Sequence, residues 1–566
     1  MSEAVHTCDV LVVGSGAAGL SAALTASVLG LEVLLCEQAE VLGGASAISG
    51  GELWIPLNRQ NGGAARDSEA DALDYLSGVI GPTLDRPRAE AYVRHAASAL
   101  AFLEDHSELE YEALPHVVDY FSTVAGAANG IRTLGAVPFD GRRLGERFRE
   151  VRSPLPVGMI FGGMSIGRED LPHLINVTRS LRSAAHVARM LTRHARDRLG
   201  GYARGTRMVM GNALVGRLLA TVFERKLPIW RGASVTRLVT GDRGVTGAMV
   251  QHAGEQREVH CRGAVVLANG SFSGNRTMRE RYYPHVRAGR FHHSHVPASS
   301  DGSGITLALA CGASVDEQVS EPGAWTPVSM VPTRDGSIAA FSHFGDRAKP
   351  GVIVVNRAGR RFANEAMNYH DFLQAMFRDC AGAPEVEAFV LTSHRHLRTY
   401  GLGRVPSFPG RIGPFLRNGY LQRGRTLAEL ARAIGVDAAT LEQTVSRFNE
   451  HARRGVDPDF QKGGTVYERA AGDPQVTPNP CVAPLDAGPW YAIRMVPGDI
   501  GTLMGLRTDP AARVLDATGA PIPGLYAVGT VAASIMRGTY PAAGAMLGPS
   551  LTFAHLAVQD IAARQA

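Results

Sequence analysis

"CDVLVVGSGAAGLSAALTASVLGLEVLLCEQAEVLGGASAISGG", residues 8–51, decides the fold of this 566-residue chain. An apolar run, Val10 to Val13, leads into Gly14, Gly16 and Gly19, and Ala23 and Gly30 fall on the helix that the spacing predicts next. A second apolar run, Val33 to Leu35, leads to Glu37. Glycines at the turn permit a tight strand-to-helix connection, close approach of a pyrophosphate, and packing of helix on strand. The helix N-terminus aims unpaired backbone N–H groups and the positive end of its dipole at the phosphates. An acidic side chain ending the second strand accepts hydrogen bonds from ribose hydroxyls. The predicted unit is a dinucleotide-binding βαβ, with Gly14, Ser15, Gly16, Ala17, Ala18, Gly19 and Glu37 as its contacts.

Gly43 and Gly44, six and seven residues past Glu37, resemble the longer fingerprint of two-dinucleotide-binding flavoproteins. Ala45, Ser46, Ser49, Gly50 and Gly51 extend that cofactor segment. "GAVVLANGSFSGN" (263–275), with Ala268, Asn269 and Gly270, and "PIPGLYAVGT" (521–530), with Gly529, resemble later FAD-domain elements; Gly548, Ser550 and Leu551 complete the set. No second G-x-G-x-x-G follows a strand, so the cofactor expected is FAD and not NAD(P)H. "GGASAISGG" also resembles the segment beside the flavin in the fumarate reductase/succinate dehydrogenase flavoproteins. Covalently flavinylated members carry a histidine there; this chain has none between His6 and His95, so non-covalent FAD is expected. The fold class that follows is α/β, a Rossmann-like FAD-binding domain (1–329 and 496–566) with an inserted α+β catalytic domain (330–495).

The composition, 45% hydrophobic and 20% charged with net charge +5, is ordinary for a globular chain and shows no nucleic-acid footprint. Six scattered cysteines without a C-x-x-C pair argue against a disulfide framework, an iron–sulfur cluster or attached haem. "MSEAVHT" runs directly into a strand, and no apolar run reaches the roughly 20 residues of a membrane span, so a cytoplasmic protein is expected. "FHHSHV" (His292, His293, His295) lacks a carboxylate or thiol companion, and no metal is predicted. Residues 150–204 stand apart. An apolar, glycine-rich loop precedes Leu174, Val177, Leu181, Ala184, Ala188, Leu191 and Ala195, one stripe of a predicted helix bearing Arg179, Arg182, Arg189, Arg193 and Arg196. That pattern fits two readings equally, a membrane-surface anchor or a helix packed on its own protein.

Together with "VNRAGRRFANE" and "GTLMGLRTDPAARVLD", the segment "GTYPAAGAMLGPSLTFA" (538–554) makes the chain resemble the 3-ketosteroid Δ1-dehydrogenases over most of its length outside 150–204. The resemblance implies transfer of hydride from C1 of a 3-ketosteroid to flavin N5, with a tyrosine removing the C2 proton. It implies Tyr369 as that base, Tyr120 as its assistant, and the Tyr540 hydroxyl and Gly544 N–H as the clamp on the C3 carbonyl. The physical chemistry is consistent: a proton beside a ketone becomes removable once donors hold the developing oxyanion, each worth roughly 3 kcal/mol. Ionising a phenol of pKa near 10 at pH 7 costs about 4 kcal/mol without a stabilising neighbour. The uncharged wall around Tyr540 suits a flat neutral ketone better than a dicarboxylate, which needs arginine clamps. Ala542 stands where the Δ4-dehydrogenases carry serine. With no further redox motif, electrons are expected to leave to a quinone or other external acceptor. Alternatives are a Δ4-dehydrogenase or fumarate reductase-like enzyme, or an inactive flavin-carrying membrane or partner-binding protein.

Overall fold

The computed structural model describes residues 5–242, 244–333 and 336–565. His6–Val13 forms the strand expected from its apolar run, buried between two parallel neighbours, Val33–Glu37 and Glu255–Leu267. Parallel strands covered on both faces read as continuous apolar runs, as these do. Ile229–Arg231 extends one side in parallel, and Pro521–Ala527 pairs in parallel with Glu255–Leu267. Ser234–Gly241 and Gly244–His252 add antiparallel strands. The sheet therefore draws on the beginning, middle and end of the chain. At the first turn Gly14 has φ +108°, and a Cβ on Gly19 would lie 1.9 Å from the Gly14 carbonyl oxygen. Only glycine lets Ala17–Val28 pack this closely. That helix is covered by Leu547–Gln565 and Met210–Glu224, so the last element of the chain packs on the first helix.

A second sheet runs Ile338–Ser342, Gly323–Pro332, Trp490–Thr502, Ala388–Ser393, Val352–Val355, and His293–Ser294 and Gln422–Gly424 also pair with Trp490–Thr502. Its strands cross both positions, 330 and 495, at which composition marks the catalytic segment. The change in composition follows loops and helices, whereas strands of 10 and 13 residues run through it.

The expected single helix through 174–195 is broken at Asn176–Ser180, between Leu171–Ile175 and Leu181–Leu199. Ser180 caps the longer helix by accepting from the Ser183 N–H. The apolar stripe read from the sequence turns mostly outward: Leu181, Ala188, Leu191 and Ala195 are exposed, Leu181 at 91%, while Leu174, Val177 and Ala184 are half-buried. Ser183, Val187, Met190, His194 and Asp197 are buried instead. The polar members of that face have partners: Asp197 accepts from the Thr206 N–H and hydroxyl, and His194 Nε2 bonds to the Phe161 carbonyl. Satisfied polar groups can be buried, and a hydrophobic stripe alone does not assign the inner face.

Arg132 is nearly inaccessible and joins two carboxylates, Asp67 at 2.7 Å and Asp119 at 3.1 Å. Asp119 also accepts from the Trp54 indole N–H (2.7 Å) and the Ala128 N–H (2.9 Å), fixing the turn that follows Val118. Removing one member of a buried network strands the other charges. Arg132→Met should therefore lower unfolding free energy by roughly 3–5 kcal/mol, measured by urea denaturation of the holoenzyme. A loss under about 1 kcal/mol would show that the turn does not need the cation.

Candidate active site

A cavity of about 430 Å³ is lined by the glycine turn, the 44–52 segment and Ala268–Ser271, and by Phe344, Tyr369 and Ile500. At its nucleotide end Glu37 Oε2 accepts from the Ser15 N–H (2.9 Å) and hydroxyl (2.6 Å), and Oε1 accepts from the Ala39 N–H. Ser46 Oγ accepts from the Ala17 N–H at the helix start. Asn269 Oδ1 is buried without a partner among the described residues and belongs to a cavity-lining side chain. An unpaired buried acceptor beside a glycine-walled helix start fits a bound dinucleotide. Of the cofactor residues named from the sequence, Gly19, Gly43, Gly548 and Leu551 do not line the cavity. Gly19 packs against the Gly14 carbonyl, the Gly43 N–H donates to Ser15 Oγ, the Gly548 N–H donates to the Gly544 carbonyl, and Leu551 is core. They shape the wall from behind.

Tyr120, Tyr369 and Tyr540 meet in the same cavity. Ring centroids are 5.9 Å apart for 120–369, 6.2 Å for 120–540 and 5.3 Å for 369–540. Separate elements deliver them. The Tyr120 N–H and the Tyr75 hydroxyl both donate to the Pro541 carbonyl, at 2.8 and 2.6 Å, tying two tyrosine-bearing segments together. Tyr369 begins the helix Tyr369–Asp379, capped by Asn368. The next residue, His370, accepts from the Trp325 N–H through Nδ1 and donates to the Gly538 carbonyl through Nε2. Burial pulls His370 down to about 4, which keeps it neutral and suited to that double bond. Gly544 has φ +88°, and a Cβ there would approach Trp54 N within 2.5 Å. Its N–H finds no acceptor among the described residues.

Burial raises the Tyr369 phenol well above its ordinary value, and the neighbouring Tyr120 and Tyr540 add to the rise. Tyr120 rises chiefly by burial, and Tyr540 is pushed up to about 12 by burial against a lowering contact with Tyr369. Charge is not absent, as the sequence around Tyr540 suggested it would be. Arg168, from the 150–204 insertion, lines the cavity and bonds to Glu52 through Nε at 2.7 Å. Neither residue was singled out from the sequence, and neither was His370 or Phe344. Glu52 follows the Gly50–Gly51 pair directly, a position that could have drawn attention, whereas Arg168 lies in the 150–204 segment, which carries no cofactor or catalytic motif.

Comparison with known proteins places this geometry. The family described as "FAD binding domain" matches residues 9–547. The chain belongs to that family. It is 35% identical over 576 residues to the 3-oxosteroid 1-dehydrogenase of Mycobacterium tuberculosis, covering 99% of each chain. It is 37% identical over 555 residues to the 4-oxocyclohex-2-ene-1-carboxylate 5-dehydrogenase of Sinomonas cyclohexanicum, covering 98% of this chain and 94% of that one. The 3-ketosteroid Δ1-dehydrogenase of Sterolibacterium denitrificans, solved with 1,4-androstadiene-3,17-dione, superposes with a TM-score of 0.90 at 36% identity, covering 99% of this chain and 100% of that one. The protein is thus an FAD-dependent oxidoreductase of the 3-ketosteroid dehydrogenase group, with the α/β fold and second domain expected. Some relatives in this family act on substrates other than steroids.

Gly544→Ala forces a Cβ into the Leu53–Trp54 backbone and moves the free N–H. Turnover should fall at least a hundredfold, in line with loss of one oxyanion donor, while the flavin absorbance of the purified variant persists. Normal turnover would remove Gly544 from the site.

Proposed function

We propose that this enzyme removes hydrogen from the α and β carbons of a ring ketone, C2 as a proton and C1 as a hydride where the ketone is a 3-ketosteroid. The supporting observation is the convergence of three phenols and an unpaired N–H at Gly544 in the cavity that carries the dinucleotide motifs. In this reading the Gly14–Ala18 turn, Glu37, the 44–51 segment, Asn269, Gly529 and Ser550 hold FAD. Bound there, FAD supplies a two-electron, one-hydrogen acceptor. The Tyr540 hydroxyl and Gly544 N–H hold the carbonyl oxygen as it gains negative charge. Tyr369 takes the proton from the carbon beside the carbonyl, and Tyr120, edge-on to it with ring centroids 5.9 Å apart, is the assisting phenol. Phe344, edge-on to Tyr369 at 4.8 Å, and the covered cavity keep water from the base. A second reading, a smaller ring ketone bearing a carboxylate, is favoured by Arg168 and developed below. Electrons then pass to a quinone or another external acceptor.

Tyr369→Phe and Tyr540→Phe should each reduce kcat with androst-4-ene-3,17-dione and a dye acceptor by about 10²–10⁴-fold, flavin content unchanged. Because the folded Tyr369 phenol ionises above pH 10, its basic form grows tenfold per pH unit below that point. kcat/KM should climb through pH 7–10 without a plateau; a level profile with chemistry rate-limiting would exclude Tyr369 as the base.

The outward side of Leu181–Leu199 and its neighbours supports a membrane-surface role. Leu181, Leu199, Leu171 and Phe161 are exposed beside Arg182, Arg189 and Arg196. Apolar side chains among arginines insert at the headgroup level of an anionic bilayer. Among the described residues no helix is long and apolar enough to cross one. The protein should sediment with phosphatidylglycerol vesicles, and Leu181→Ser with Leu199→Ser should return it to the supernatant without loss of flavin. Retention of wild type in the supernatant at low salt would sink the membrane role.

A further inference from the structure

The side chains of formal charge along the cavity are Glu37, Glu52 and Arg168. Glu37 is committed to backbone donors at the nucleotide end. Arg168 and Glu52 line the same cavity as Tyr120, Tyr369 and Tyr540. The Arg168 side chain is 46% exposed, so a ligand can reach it. The pairing with Glu52 is one-sided. Arg168 Nε and Nη2 both converge on Glu52 Oε1, leaving Nη1 and Glu52 Oε2 without partners among the described residues. Arg143 engages both oxygens of Glu108 fork to fork, whereas Arg147 on Glu150 and Arg513 on Asp509 converge on one oxygen as Arg168 does; Arg168 differs from these two in lining the cavity. Elsewhere in this chain one guanidinium serves two carboxylates: Arg132 joins Asp67 and Asp119, and Arg361 joins Glu365 and Asp457. Arg168 has half of such an arrangement.

Its backbone is fixed beforehand. The adjacent Gly167 N–H donates to Asp170 Oδ2, and buried Asp170 is itself held by His186 and by Arg207 at 2.7 Å. A preset cation with a free edge recognises an anion with little ordering cost. A neutral ligand covering the same edge would leave an N–H unpaired out of water.

We propose that Arg168 receives, through its Nη1 edge, a carboxylate carried by the ketone substrate, with Glu52 holding the other edge. The substrate class is then an oxocycloalkane carboxylate, and not a neutral ketone. This rests on the ketone-desaturation reading above. The Sinomonas relative, whose named substrate is an oxocyclohexene carboxylate, agrees with the chemistry of the pair.

The test compares 4-oxocyclohexanecarboxylate, its neutral methyl ester and androst-4-ene-3,17-dione as substrates of the holoenzyme with a dye acceptor. A charge-assisted hydrogen bond predicts kcat/KM for the acid about 10–100-fold above that for the ester. Arg168→Gln should bring that ratio near one, and Glu52→Gln, which removes the competing anion, should raise it. Equal values for acid and ester in wild type would overturn the proposal. So would a fall in Arg168→Gln that is the same for both, which would assign the guanidinium to the flavin or the fold. 4-Hydroxybenzoate, a planar analogue with oxygen and carboxylate at opposite ends of one ring, gives a binding readout from flavin absorbance without turnover. If no ketone is oxidised, the desaturation reading fails, and this titration decides the site alone. Affinity lowered tenfold or more by Arg168→Gln upholds the carboxylate site, and unchanged affinity removes it.

Discussion

The carbonyl of Pro541 is the point on which the site turns. It accepts the Tyr120 N–H from one segment and the Tyr75 hydroxyl from another, and it sits one residue after Tyr540. Two hydrogen bonds to one buried oxygen lock three remote stretches of chain into a single geometry, and the Tyr75 hydroxyl also receives the Phe121 N–H. His370 does the same from the other side, joining the helix that bears Tyr369 to Gly538 and to Trp325. The phenols therefore stand on backbone contacts and not on loops free to drift. Catalysis by positioned donors depends on geometry held to fractions of an ångström, and these bonds supply that rigidity.

The same burial that positions the phenols makes them poor bases. A phenol removed from water resists ionisation, and two neighbouring phenols add to the resistance at Tyr369. The compensation lies in the substrate. In the reaction proposed above, a carbonyl oxygen held by Tyr540 and the unpaired Gly544 N–H makes the adjacent proton acidic enough for a reluctant base. Donor and base thus act on one another only when a ketone joins them, and without it all three hydroxyls stay protonated.

Much of this was legible in the sequence because it depends on local rules. Gly14, Gly16 and Gly19 announce a turn that only glycine allows, and the apolar runs on either side can form only buried strands. Tyr540 stood out in a segment without charge, and resemblance supplied its role together with Gly544, Tyr369 and Tyr120. What stayed hidden depends on long-range placement. The outward stripe of Leu181–Leu199 is one case: periodicity reveals that a helix has two faces, but partners such as Thr206 for Asp197 decide which face turns inward. The pair of Arg168 and Glu52 is another, joining positions 116 residues apart with no shared motif. The boundaries of the second sheet are a third, since long strands run straight through the change in composition.

The packing of Leu547–Gln565 on Ala17–Val28, and the late arrival of Pro521–Ala527 in the first sheet, have a consequence for biosynthesis. The nucleotide-binding turn emerges early from the ribosome, yet its cover and one of its parallel strands are translated last. Contacts separated by over 500 residues close slowly, and the nascent chain must hold an exposed apolar helix face until termination. Completion of translation, not synthesis of the fingerprint, is what permits the cofactor domain to close. A chain lacking Leu547–Gln565 would leave that helix uncovered and call on chaperones for protection.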